Sequence, residues 1–226
     1  MKTALVLFDL DGTLIDSVPD IAGALNRTLA TIGRRPLSTK EAAGLLGQGA
    51  PLFVKSALQL TGGVLADDEV TDLSKQFLDD YMQNPVVDTV VYPGAIDALD
   101  KLRVSAVRLA ACTNKPSSLV PTVMQQLGLS EYFPTVVCGD EVTNRKPHPD
   151  HIFDTIRRVA PNEETAAIMV GDNVNDFLAA NSAEIASIAV SFGYAKCAPE
   201  ELGATTVINH FNELFPAVEK ILSAQC

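Results

Sequence analysis

Ala4-Leu5-Val6-Leu7-Phe8-Asp9-Leu10-Asp11-Gly12-Thr13 decides the fold: an apolar run stops abruptly at two carboxylates and a glycine. Such a run reads as a buried strand that ends in a loop. In open α/β sheets, ligands bind beyond the carboxyl ends of strands. Residues two apart in an extended segment point the same way, so Asp9 and Asp11 share a side while Leu10 turns into the core. Two acids then reach one substrate atom or one cation. Asp-x-Asp alone also fits a calcium loop or an ordinary turn; its place at a strand end gives it weight.

The 226 residues suffice for one large domain, or a domain with a smaller one beside it. A hydrophobic content of 47% with 20% charge describes a globular chain and not a disordered one. The net charge of -11 argues against nucleic acid and against an anionic membrane surface as partners, since both demand basic patches. The four cysteines, at 112, 138, 197 and 226, have no metal-ligand spacing. Two lie in apolar runs as small core residues, so reduced thiols and a cytoplasmic location are expected. The chain opens on a strand and not on a basic, apolar leader, so no signal peptide is read. No apolar run approaches the ~20 residues of a membrane helix.

After Asp11 the periodicity changes. Ile21, Leu25, Leu29 and Ile32 mark one helical face, with Pro19 and Asp20 in the first turn and Gly33 at the stop. Helical stretches follow at 38–46, 51–61 and 67–83, with no convincing strand among them. From Tyr92-Pro93-Gly94 onward, strands and helices alternate. Strands are predicted at Val107–Cys112, Val136–Cys138, Ala166–Val170, Ile185–Val190 and Thr206–Ile208, and helices at 117–127, 149–159 and 174–183. Phe211, Leu214, Phe215, Val218, Ile221 and Leu222 make the apolar face of a last helix. The expected fold is α/β: a Rossmann-like parallel core, 1–15 and 89–226, with an all-helical insert, 16–88, after the first strand.

Three more features stand at strand ends. In Cys112-Thr113-Asn114-Lys115-Pro116 a hydroxyl and an amide emerge before a helix, where backbone N–H groups favour an anion; Thr113 or Ser117 capping that helix is the plainer reading. In Asn144-Arg145-Lys146-Pro147-His148-Pro149-Asp150 two prolines restrain a loop bearing a lysine, which is either a fixed phosphate partner or a solvated cation. His148 and His151 lack the further ligands of a zinc site. In Gly171-Asp172-Asn173-Val174-Asn175-Asp176 two acids lie one helical turn apart. They are either Mg²⁺ ligands together with strand one, or a helix cap formed by Asp172 with Asp176 in the first turn.

Taken together, Asp9-Leu10-Asp11-Gly12-Thr13, Thr113, Lys146 and Gly171-Asp172-x-x-x-Asp176 resemble, in order and context, the four motifs of the haloacid dehalogenase superfamily. The resemblance runs over nearly the whole chain, and the helical insert resembles the family's first type of cap. It implies a phosphatase in which Asp9 attacks phosphorus and Asp11 serves the leaving group as acid and the water as base. By the same resemblance, Asp9, the Asp11 carbonyl and Asp172 hold Mg²⁺. Thr113, Asn114 and Lys146 hold the phosphoryl oxygens, and Asp176 orients Lys146 or bound water.

Asp11 favours phosphoryl transfer over dehalogenation. Sugar phosphomutases share both acids and stay open as an alternative, as do pyrophosphate and other small phosphometabolites, and a non-catalytic binding module. Leu46-Gly47-Gln48-Gly49-Ala50, Thr113-Asn114-Lys115-Pro116, the Lys146 loop and Phe192-Gly193-Tyr194 resemble bacterial phosphoglycolate phosphatases. Gly47, Gln48 and Gly49 are candidate cap residues for the substrate; their plainer reading is an interhelical turn. Glu184 stands where those enzymes usually have glycine, which implies a small stability cost. The expected partner is a small phosphorylated metabolite, bound by a monomer or homodimer.

Overall fold

A computed structural model describes residues 2–195 and 198–224. Cys197 and Cys226 lie outside them, whereas Cys112 and Cys138 are buried free thiols. The chain divides into two compact units, Met1–Asp16 with Val91–Cys226, and Ser17–Val90.

The first unit contains strands β1 (Thr3–Phe8) and β2 (Ile15–Asp16). The second contains helices α1 (Val18–Thr31), α2 (Thr39–Ala43), α3 (Ala50–Thr61) and α4 (Asp67–Gln83). The chain returns through β3 (Val90–Val91), paired with β2, into α5 (Ala95–Val104), β4 (Arg108–Thr113), α6 (Val120–Gln126), β5 (Thr135–Cys138) and α7 (Asp150–Val159). β6 (Thr165–Gly171), α8 (Val174–Ser182), β7 (Ala186–Val190), β8 (Thr206–Ile208) and α9 (Leu214–Ala224) complete it.

Six strands form one parallel sheet in the order β5-β4-β1-β6-β7-β8. β1 is central because every residue from Leu5 to Phe8 is apolar and fully buried, the pattern of a strand covered on both faces. The chain leaves β1 toward β4 and β5, then returns to its other side at β6, so the switch of direction falls at β1. Phe8 is level with Ala111 of β4 and with Val170 of β6. This register brings the strand-end residues of β1, β4 and β6 out on one edge. Leu5, Leu7, Ala110, Cys112, Ile152, Met169, Ala179 and Ala180 pack into one cluster under that edge. Each such large apolar side chain contributes roughly 1.5–3 kcal/mol on burial.

One feature departs from the sequence reading, and one gives a physical reason for it. No helix was expected between Gly94 and Val107, yet α5 is there, with Ala95, Ala98, Leu99 and Leu102 as its buried face. Glu184 lies at φ +55, the left-handed region that glycine tolerates and a Cβ opposes at roughly 1–2 kcal/mol. The stability cost expected at Glu184 has this conformational reason.

In the helical unit, Phe77 stacks on Tyr81 and meets Phe53 at a tilt, all three in the interior. Asp20 does more than begin α1: its carboxylate accepts from Val87 N, Asp88 N, Thr89 N and the Thr89 hydroxyl. These donors hold its pKa below the usual value despite burial, and they fasten segment 87–89 to the helix. Gly47, Gln48 and Gly49 join α2 to α3; Gly47 and Gly49 have φ +108 and +79, so the turn itself calls for glycine. No helix among the described residues is long and apolar enough to cross a membrane.

Candidate active site

The strand-end residues converge at the β1 edge. The Asp9 backbone N–H donates to Val170 O (3.0 Å), which pins the first acid beside β6. Leu10 is fully buried, so the alternation read from the sequence holds. Oxygens of Asp9, Asp172 and Asp176 lie within 4.8 Å of one another. Gly12, at φ +85, and Gly193 form the wall behind Asp172, and a Cβ at either would strike that carboxylate. Gly171 gives Asp176 the same clearance.

Lys146 enters this cluster from the loop after β5. Its Nζ donates to Asp176 Oδ1 (2.6 Å) and Cys112 O (2.6 Å) and lies 3.2 Å from Asp9 Oδ1. Burial opposes its charge, but Asp176 and Asp9 more than offset this and raise the pKa. The Asp9 carboxyl is pushed up to about 6 by burial, which Lys146 only partly counters. Asp9 Oδ1 has no hydrogen-bond partner although it is buried; the lysine stands near it as a charge without donating to it.

The remaining acids divide by their partners. Asp176 is satisfied, with Oδ1 on Lys146 and Oδ2 on Asn173 N (3.0 Å). Among the described residues Asp172 has only neutral donors, Thr13 Oγ1 (3.0 Å) and Tyr194 N (2.8 Å). Burial, with Asp176 and Asp9 nearby, holds its pKa well above the ordinary value. The capping role considered for Asp172 belongs to Asn173, whose Oδ1 accepts from Asn175 N while Asp176 closes the turn. Asp172 points instead to the acid cluster.

This donor set fits Mg²⁺, which takes carboxylate oxygens and keeps water or substrate oxygens around it. Asp9, whose buried Oδ1 lacks a hydrogen-bond partner, and Asp172, which has no lysine partner among the described residues, are the two carboxylates that would hold it. Asp176, although close, already serves Lys146.

The loop after β4 differs from its sequence reading. Neither Thr113 nor Ser117 caps a helix, because α6 begins only at Val120. Thr113 Oγ1 accepts from Lys115 N (3.2 Å), and Ser117 is bound to Asp140. The Asn114 side-chain amide donates to Lys146 O (2.8 Å), tying the two loops together. Lys115 was not singled out from the sequence. Its Nζ lies 2.9 and 3.1 Å from the two carboxylate oxygens of Asp11. Tyr194, noted only as part of a matching tripeptide, holds Asp172 through its N–H and Asp16 Oδ1 through its hydroxyl (2.8 Å).

His151 is fully buried. Nδ1 accepts from Lys146 N (3.3 Å), so Nε2 carries the proton toward Val137 O (3.1 Å). His148, by contrast, is exposed and faces Asp150, so the two histidines share no site. Burial, with Lys146 beside it, lowers the His151 pKa to about 4. Between about 6.5 and 4 the unfolded chain therefore takes up a proton that the folded chain refuses, and stability falls as pH falls. Across the whole window the loss amounts to about 3 kcal/mol. Asp9, raised to about 6, acts in the opposite sense over part of this range. The His151 contribution is therefore read as a difference from His151→Gln. In urea titrations with EDTA, the advantage of wild type over the variant should shrink by about 3 kcal/mol from pH 7.5 to pH 4. A gap that stays constant would mean that the imidazole is not held neutral.

Comparison with known proteins agrees with this geometry. Residues 6–190 match the haloacid dehalogenase-like hydrolase family. The chain is 39% identical to the phosphoglycolate phosphatase of Agrobacterium fabrum, over 97% of this chain and 94% of that one. It is 32% identical to the phosphoglycolate phosphatase of Caulobacter vibrioides, over 99% and 94%. The crystal structure of a predicted phosphoglycolate phosphatase from Haemophilus somnus superposes with a TM-score of 0.87 at 25% identity, covering 96% of this chain and 98% of that one. With its parallel core, helical insert and aspartate-based phosphatase site, the chain belongs to the haloacid dehalogenase-like hydrolase family.

Proposed function

We propose that the protein hydrolyses 2-phosphoglycolate through an aspartyl-phosphate on Asp9. The supporting observation is the unequal setting of two acids from one strand end. Asp9 sits among Lys146, Asp172 and Asp176 with an oxygen free of hydrogen bonds, whereas Asp11 is more open and faces Lys115. Asp9 attacks phosphorus while Asp11 hands a proton to the departing alkoxide; Asp11 then takes one from the water that cleaves the acyl phosphate. Lys146 and the Thr113 hydroxyl hold the phosphoryl oxygens, and Asn114 keeps the Lys146 loop in place. Asp9, the Asp11 carbonyl and Asp172 would hold Mg²⁺, which would supply positive charge against the phosphoryl oxygens. Asp176 orients Lys146. The substrate assignment draws on the 39% and 32% identical phosphatases, each aligned over nearly its full length.

Phosphate release from 2-phosphoglycolate, pyrophosphate and sugar phosphates, compared as kcat/KM, tests this reading. The first should lead by at least about tenfold, equivalent to 1.4 kcal/mol in the transition state. EDTA should abolish release, and Mg²⁺ should restore it. Conversion of a sugar phosphate to its isomer without free phosphate would replace the hydrolase by a mutase.

A further inference from the structure

Lys115 is a second buried lysine at the β1 edge, and its place differs from that of Lys146. Lys146 is committed to the nucleophile side, bound to Cys112 O, Asp176 and Asp9. Lys115 instead straddles both oxygens of Asp11 at 2.9 and 3.1 Å. Its side chain is 2% exposed, whereas that of Asp11 is 21% exposed, so the pair opens outward on the Asp11 side. Burying a flexible ammonium is unfavourable unless the position is used. Positioning Asp11 is one such use. The charge of the substrate offers a second.

A phosphomonoester that also carries a carboxylate adds an anion beyond the phosphoryl group, and that anion needs its own cation. In a 2-phospho acid the carboxylate sits one carbon from the leaving oxygen. Asp11, as acid, must touch that oxygen. The group that already grips Asp11 is therefore next to the carboxylate.

We propose that Lys115 is a specificity residue that pairs with the carboxylate of the substrate. This rests on the phosphatase reading above and narrows its substrate class to phosphomonoesters bearing a carboxylate beside the ester carbon. Neutral monoesters of the same size lose this contact. Lys115 thus divides its ammonium between Asp11 and the substrate, while Lys146 attends to phosphorus.

The test compares 2-phosphoglycolate with ethyl phosphate, which has the same carbon count and no carboxylate. Wild type should prefer 2-phosphoglycolate; no preference would overturn both the substrate reading and this proposal before any substitution is made. In Lys115→Met, kcat/KM for 2-phosphoglycolate should fall about 10- to 100-fold more than for ethyl phosphate, chiefly through KM. An equal fall for both substrates, carried by kcat, would reduce Lys115 to a support for Asp11 and overturn the proposal while leaving the phosphatase reading intact. Should turnover of the variant be too slow, Kd values for the two esters with Mg²⁺ replace it, measured for Asp9→Asn and for Asp9→Asn with Lys115→Met. The added substitution should weaken 2-phosphoglycolate by the same factor and ethyl phosphate by less than about threefold. Equal weakening of both refutes it.

Discussion

Asp9→Asn is expected to lower turnover by at least about 10⁴-fold and to make the metal-free protein more stable. The first effect follows from chemistry: an amide oxygen does not form an acyl phosphate, and loss of a covalent nucleophile is among the largest single-residue effects known in enzymes. The second follows from the setting of the carboxylate. Burial among other acids raises the Asp9 pKa from 3.8 to about 6. The folded protein therefore binds a proton that the unfolded chain has released between those values, and the ionised group is a liability at every pH above them. At pH 7.5 that liability is about 2–3 kcal/mol, and the isosteric amide removes it while Lys146 keeps Asp176. Urea unfolding in EDTA should give a stabler variant at pH 7.5, with the difference fading toward pH 4. Phosphate release by the variant above about 1% of wild type would remove Asp9 from the nucleophile's role. A variant less stable at pH 7.5 would show that the carboxylate is structural. Opposite movement of activity and stability is what a strained functional group produces.

The legibility of this site in the sequence was uneven, for physical reasons. Strand ends announce themselves because a fully buried strand must be apolar, and an acid after it has to mark the point where solvent or ligand begins. That is why Asp9, Thr113 and Asp172 are legible as strand-end residues. Partner choice inside the cluster was not readable, since it depends on where chain segments 30 to 180 residues apart meet. Lys115 and Lys146 lie in equally polar, proline-containing loops, and only the fold assigns one to Asp11 and the other to Asp9 and Asp176. His151 was weighed only as half of a metal pair, because its two backbone partners, Lys146 N and Val137 O, come from different loops and strands. The omission of α5 is of another kind. Ala95, Ala98, Leu99 and Leu102 follow helical spacing, but two of the four are alanines, so the apolar stripe is weak beside those of the neighbouring elements.

Lys146→Met is expected to be the most destabilising of the substitutions at this site, and its cost should depend on both pH and Mg²⁺. The side chain is 1% exposed and, among the described residues, supplies the one cation in contact with both Asp9 and Asp176. Methionine preserves most of the volume and stem, so packing loss is small. What remains is a set of buried carboxylates without their ammonium, a change of the kind that costs about 3–5 kcal/mol. Removing the cation takes away a charge that had been holding the Asp9 pKa down, so in the variant that pKa rises further. A carboxyl whose folded pKa is raised favours the folded state as pH falls. The deficit should therefore be largest near pH 8 and shrink toward pH 5, and saturating Mg²⁺ should recover part of it by binding only the folded chain. Turnover should fall by about 10³-fold or more, since the phosphoryl oxygens lose their fixed positive partner. The double substitution Lys146→Met with Asp176→Asn separates the two roles: removing the stranded acid should return a good part of the stability and none of the activity. If Lys146→Met alone is as stable as wild type at pH 8 in EDTA, the acids do not depend on this lysine. The division of labour between Lys146 and Lys115 would then have to be redrawn.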